Sequence, residues 1–179
     1  NQATVRYFNA DTISEAATPL EMGMKLSSLT SLPDGELLAV GSLTTSFPSR
    51  SDGDKNPASP PTRGLIVAVD MVQKNQSTNM NMIIVHIGEN GKFHSVLPDS
   101  SGEGIAIVAG TSGAVRVDSL VSVSTVDGVP GSTSAVADDY GTIWFAGNLD
   151  TQRVGILEDG ESEGETVEVP QGANFDSVL

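Results

Sequence analysis

The stretch Ala114-Val115-Arg116-Val117-Asp118-Ser119-Leu120-Val121-Ser122-Val123-Ser124-Thr125-Val126 decides the fold class. Val115, Val117, Val121 and Val123 fall on one side of an extended chain, while Arg116, Asp118, Ser122 and Ser124 fall on the other. A period of two is the mark of a strand with one face turned to a core. The same texture recurs along the chain in short runs bounded by Gly, Pro, Asn and Asp. Residues 4–8, 36–43, 104–109, 142–147, 152–157 and 165–169 read as strands. Residues 64–71 and 80–87 are more continuously apolar, which suits central strands covered on both faces. Residues 18–32 carry two signals. Thr18-Pro19-Leu20-Glu21 imitates a helix start, but Leu20, Met22, Met24 and Leu26 alternate and Gly23 weakens a helix, so the strand reading is taken. Residues 11–17 are expected to form a short helical turn. The expectation is a mainly β fold: an antiparallel β-sandwich or barrel of about ten strands with long loops and at most one or two short helices.

The chain has 179 residues, which suits a single β domain over 1–179. Only 4% of residues are aromatic, so the core must come from Val, Ile, Leu, Ala and Met with ring anchors such as Trp144 and Phe145. The absence of cysteine excludes a disulfide framework and a thiolate metal site. The formal net charge of -14 repels phosphate backbones and anionic headgroups, so no nucleic acid is expected as a partner. No apolar run approaches the roughly 20 residues of a membrane-spanning helix, and no membrane insertion is expected. The chain begins without Met, which reads as part of a longer or processed polypeptide.

Residues 44–62 contain Pro48, Pro57, Pro60 and Pro61 among Ser, Asp and Gly, a Pro/Ser-rich surface loop of the length usually reserved for function. Arg50, Asp52, Asp54 and Lys55 are its candidate binding residues. Asp52-x-Asp54-x-Asn56 imitates the first ligands of a calcium loop. Pro57 then stands where the sharp turn needs Gly, and Arg63 where a bidentate Glu is needed, so no metal is expected there. No cofactor signature is present: Gly102-x-Gly104 lacks the third Gly and the helix of a dinucleotide fingerprint. Residues 158–168 carry six acids and no base, as suits a solvated turn and edge strand.

A catalytic arrangement can be written around the two histidines. If Asn90-Gly91 forms a two-residue hairpin, Ile87 faces His94 and His86 faces Ser95, with Asp99 a few residues on. His86, Ser95 and Asp99 would then form a hydrolase triad, although the chain has no nucleophile elbow and no visible oxyanion site. A cross-strand pair is the competing role for His86 and Ser95.

Pro33-Asp34-Gly35, Glu89-Asn90-Gly91 and Asp139-Tyr140-Gly141 each precede an apolar run. The segments around the first and third, Leu32 to Gly41 and Ala137 to Gly147, resemble the inner hairpins of kelch-like β-propeller blades, although 179 residues are too few for a closed propeller of at least four blades. Over the whole chain, the sheet-rich, Lys-poor, Cys-free texture with long Ser, Thr, Pro and Gly loops resembles the protruding or spike domain of a non-enveloped virus coat protein. That resemblance implies a non-enzymatic module on the virion surface or outside the cell, which self-associates as a symmetric homo-oligomer and attaches to a host receptor or glycan. A bacterial or phage surface binding module is the further alternative.

Overall fold

The computed structural model describes residues 4–9, 14–19, 23–33, 35–44, 61–74, 77–89, 91–147 and 153–170. It has fourteen strands, and no helix occurs among the described residues. β1 (Thr4–Asn9) and β2 (Ser14–Pro19) form an antiparallel hairpin that lies alongside β6. The remaining strands form three four-stranded antiparallel sheets, each in plain chain order. The first sheet contains β3 (Met24–Ser31), β4 (Leu37–Thr44), β5 (Thr62–Lys74) and β6 (Ser77–Ile87). The second contains β7 (Phe93–Pro98), β8 (Ala106–Gly110), β9 (Gly113–Ser119) and β10 (Ser122–Val126). The third contains β11 (Ser134–Ala137), β12 (Ile143–Ala146), β13 (Arg153–Leu157) and β14 (Glu165–Glu168). None of the sheets is closed. The all-antiparallel β character matches expectation, but the strands are divided among three separate sheets rather than gathered into one ten-strand sandwich or barrel.

The sheets stack face to face, with the first strands near one another: β3 and β4 lie against β7, and β7 lies against β11. Along the second strand of each sheet, successive side chains turn to opposite sides. Leu38 and Val40 of the first sheet, with Ile66 and Ala68 across the ladder, pack on Phe93, Val96, Ala106, Val108 and Val117 of the second. The other side of the second sheet offers Ile107, Ala109 and Ala114 to Ile143, Phe145 and Leu157 of the third. Each sheet therefore has a forward face, toward the next sheet in the chain, and a rear face, toward the one before. This is how consecutive blades of a propeller pack.

The internal repeat is threefold. Ser28, Ser95 and Ser134 pair with Val40, Ala109 and Ala146 respectively. A glycine follows each of these partners, at Gly41, Gly110 and Gly147. In the first two sheets the ladder slips opposite that glycine, between Leu26 and Ser28 and between Phe93 and Ser95. The chains come so close there that a Cβ on Gly110 would sit 2.6 Å from the Lys92 carbonyl oxygen. The turns match as well. Leu32 N–H donates to the Glu36 carbonyl and Gly35 N–H to the Leu32 carbonyl, while Asp138 N–H donates to Thr142 and Gly141 N–H to Asp138. Gly35 and Gly141 adopt φ of 89° and 87°, which only glycine takes without strain. The equivalent turn of the second sheet runs from Asp99 to Ile105 and is longer, with Asp99 N–H donating to the Ile105 carbonyl.

Four expectations are corrected. The run 114–126 is a hairpin of two strands, not one, since the chain turns at Leu120 and Val121, and Val121 is 93% exposed. Arg116, expected on a solvent face, is buried because a third sheet covers that face. Residues 14–17 belong to β2 and not to a helical turn, and 24–31 form a strand, as the alternation implied. Asn90-Gly91 does not close a hairpin between β6 and β7. Past Ile87 the chain stays on β5, with Gly88 N–H donating to Gly64 and Gly91 N–H to Thr62, and Phe93 then starts the next sheet. Phe93 belongs in the interface between the sheets, where its ring fills the space that a side chain on Gly64 would need.

Arg116 ties the second and third sheets together. Its Nε approaches Asp99 Oδ2 at 3.0 Å as an ion pair, Nη1 donates to Glu103 Oε2 at 3.2 Å and Nη2 donates to the Glu161 carbonyl at 2.7 Å. Arg116 and Asp99 are both almost fully buried. Arg116→Met should therefore cost about 3–5 kcal/mol in chemical denaturation, because it strands a buried carboxylate. Adding Asp99→Asn should recover part of the loss. A cost under about 1 kcal/mol would mean that water reaches the pair, as at an exposed ion pair.

Candidate functional site

The sequence-derived triad is not assembled. His86 stands on the forward face of the first sheet, opposite Ile66, with its ring centroid 6.3 Å from that of Phe93. Ser95 belongs to the second sheet, and its hydroxyl donates to the Ala135 carbonyl of β11 at 3.4 Å, toward the third. Asp99 is committed elsewhere: Oδ1 accepts from Ser101 N–H at 3.0 Å and from the Ser101 hydroxyl at 2.6 Å, and Oδ2 faces Arg116. The three side chains thus serve two different intersheet contacts and a turn. His94, at the slip in β7, keeps Nε2 buried without a hydrogen-bond partner. Burial, and then the neighbouring Lys92 charge, hold its pKa below the ordinary value.

Arg50, Asp52, Asp54, Lys55 and Asn56 lie outside the described residues. What is described is the base of their loop: Thr44 and Thr62 are cross-strand partners, so residues 45–61 connect β4 to β5. Among the described residues no group of three His, Cys, Asp or Glu is placed to hold a metal ion.

The sequence reading missed the face that stands out. On the third sheet, Ile143, Phe145 and Leu157 point back into the core, so Val136, Trp144, Ile156, Val154 and Val167 project forward. The repeat aligns Leu38, Ile107 and Trp144, and their exposures are 0%, 1% and 37%. Val167, on the outermost strand, is 49% exposed. Trp144 is therefore not the buried ring anchor that its apolar run suggests, whereas Phe145, one residue on, is. Alternation alone assigns one of the two rings to each face, and only the pairing of β12 with β13 says which.

The Trp144 ring is fixed by its own hairpin. Its Nε1–H donates to Asp138 Oδ2 at 3.2 Å, while Asp138 Oδ1 accepts from the backbone N–H of Tyr140 at 2.9 Å and of Thr142 at 3.0 Å. A carboxylate in this turn position replaces backbone partners that the tight bend leaves open. Tyr140 stands out from the same turn, and its side chain is exposed. The adjoining turns are joined across sheets, with the Ser100 hydroxyl donating to Asp159 Oδ1 at 3.0 Å. Asp139 flanks this corner.

No protein-family model matches the chain, and neither a curated protein nor a solved structure matches it.

The Trp144 bond holds the Asp138 carboxyl below its ordinary pKa of 3.8; desolvation opposes it less strongly, and the N–H groups of Tyr140 and Thr142 add smaller effects in the same direction as the Trp144 bond. A depressed carboxyl pKa adds stability above the unfolded value, and that stability is lost as pH falls through the folded value. The melting temperature of Asp138→Asn should thus lie below that of the parent at pH 7, and the gap should close as pH drops below about 3.8. A gap that persists at pH 2 would assign the effect to the turn and not to the charge.

Proposed function

We propose that this chain is a non-enzymatic binding and assembly module whose contact surface is the forward face of the third sheet, formed by Val136, Trp144, Val154, Ile156 and Val167. The observation that carries the reading is the exposure of Trp144 at a position where the two preceding sheets bury Leu38 and Ile107. Trp144 and Val167 are exposed on one face, with Val136, Val154 and Ile156 half-buried beside them; exposed apolar side chains grouped in this way mark a contact surface, and a tryptophan among them is the residue type most often decisive there. The chain has one Trp and two Tyr, and Trp144 and Tyr140 both lie at this corner. The ladder supports the reading too. β14 carries Glu165 and Glu168, whose charge discourages a stray strand from pairing with the edge and leaves the face as the place for contact.

A module held at high local density on a particle, as in the protruding domain of a virus coat, is one setting for such a surface, and the acidic, all-antiparallel build suits an extracellular location. Host attachment through the 45–61 loop belongs to the same proposal. The hydrolase reading gains no support, because Ser95 and His86 face different partners and Asp99 is locked to Arg116.

Charge controls when the face can act. At pH 7 a formal net charge of -14 keeps copies apart, and the repulsion shrinks toward the sequence pI of about 4.2. Light scattering should rise between pH 7 and pH 4.5 for the parent chain and much less for Val167→Asp, which places a charge on the face. Equal scattering from both proteins would remove the face from the contact. In the same series Trp144→Ala should lower the melting temperature modestly, through the bond it shares with Asp138, while Phe145→Ala should lose about 3–5 kcal/mol, the cost of emptying a closed core site.

A further inference from the structure

Building on the contact face proposed above, we infer that its occupant is a fourth four-stranded antiparallel sheet of the same build, seated by its rear face. The interface is already present twice in the molecule. Forward residues Leu38, Val40, Ile66 and Ala68 receive the rear residues Ala106, Val108 and Val117, and forward residues Ile107, Ala109 and Ala114 receive Ile143, Phe145 and Leu157. The register carries the pattern on without a gap. Leu38 is paired with Ala68, Ile107 with Arg116 and Trp144 with Ile156, while Trp144 has Val136 on its other side. The third sheet thus repeats the forward face and has no described sheet on it; Ala146, on that face, is already buried, and Trp144 and Val167 are its exposed part.

A second copy of this chain can meet this face only open face to open face, once acid has removed the repulsion, and offers it no free rear face. Its rear faces in the second and third sheets are occupied from within. That of the first sheet, with Met24, Ala39, Leu65, Val67 and Val69, is itself buried in the chain, each of the five residues being at most 8% exposed. Copies also repel one another at neutral pH. A symmetric pair of these faces would also bring Glu165 of each sheet to the contacting side. What fits is a sheet with a free rear face of the Ala39, Val108 and Phe145 kind, joined head to tail as in a stack whose stability is a sum of nearest-neighbour contacts.

The single tryptophan makes this testable. Residues 127–168 are inserted a second time directly after Glu168, so that the new junction reproduces the passage from Val126 to Asp127. Trp144→Leu is made in the inserted repeat, which leaves the original Trp144 as the only indole. At pH 7.5 the expected result is a blue shift of Trp144 emission and at least a threefold drop in acrylamide quenching relative to the parent, with strand content rising in circular dichroism. A parallel variant inserts residues 88–126 instead, offering the rear face of the second sheet. If neither insert folds, or if either folds and leaves Trp144 as quenchable as in the parent, the inference is overturned. Sedimentation of the parent at pH 7.5 separates the two levels of argument. A dimer that shields Trp144 would make a second copy the occupant and overturn this inference, while the contact face itself would stand. If neither inserted repeat shields Trp144, and Val167→Asp does not alter association at low pH, the contact face falls as well.

Discussion

Leu38 and Ala39 are neighbours on one strand, point to opposite sides of it and are both shut off from water. A strand of this kind requires a layer on each side, and the rest of the structure follows from that requirement. Sealing off a Leu or Val side chain contributes roughly 1.5–3 kcal/mol, so a strand that is apolar on both sides is stable only inside a stack. The same demand is met at Ile107 and Val108, and again at Phe145. It is not met in full at Trp144, on which no described sheet lies. The chain order of the sheets gives the stack a direction, because the first and second sheets each bury their forward face under the next.

Much of this was legible in the sequence, for identifiable reasons. Period two and the turn residues locate most strands, and the resemblance of Leu32 to Gly41 and Ala137 to Gly147 reflects a true repeat, carried by glycines that the backbone needs at Gly35 and Gly141. The third member of the repeat was hidden because its turn, from Asp99 to Ile105, is longer and has no Asp-x-Gly in the expected place. Glu89-Asn90-Gly91 stood in for it with the same chemistry in a different role, linking two sheets. The count of strands and their division into sheets were not legible, since alternation says that a residue faces a layer but not which layer. For that reason 114–126 read as a single strand, and Arg116 read as a solvent residue.

The candidate site was less legible than the fold. His86 and Ser95 attracted attention through residue type, but their placement depends on whether β6 pairs with β7, and Phe93 decides against that by entering the core between the sheets. Trp144 and Phe145 are adjacent aromatic residues of nearly equal promise as anchors. The ladder partner separates them: Phe145 lies opposite Gly155 on the rear face, where Pro130 and Val129 close over the glycine, whereas Trp144 lies opposite Ile156 on the forward one.

The two intersheet contacts are built differently, and the difference bears on what the open face can accept. At equivalent third-strand positions stand Ala68, Arg116 and Ile156. Ala68 leaves room for a purely apolar contact. Arg116 makes the next contact partly ionic and needs Asp99, Glu103 and the Glu161 carbonyl to satisfy it. Ile156 returns the centre of the third face to an apolar surface, with the exposed Glu165 beside it at the edge strand. The one polar hydrogen at its centre, on the Trp144 indole, is already donated to Asp138 within the same hairpin. An unpaired N–H would cost about 1–3 kcal/mol when covered, and this one carries its partner with it. The face can therefore be covered by an apolar layer without leaving the Trp144 N–H unpaired.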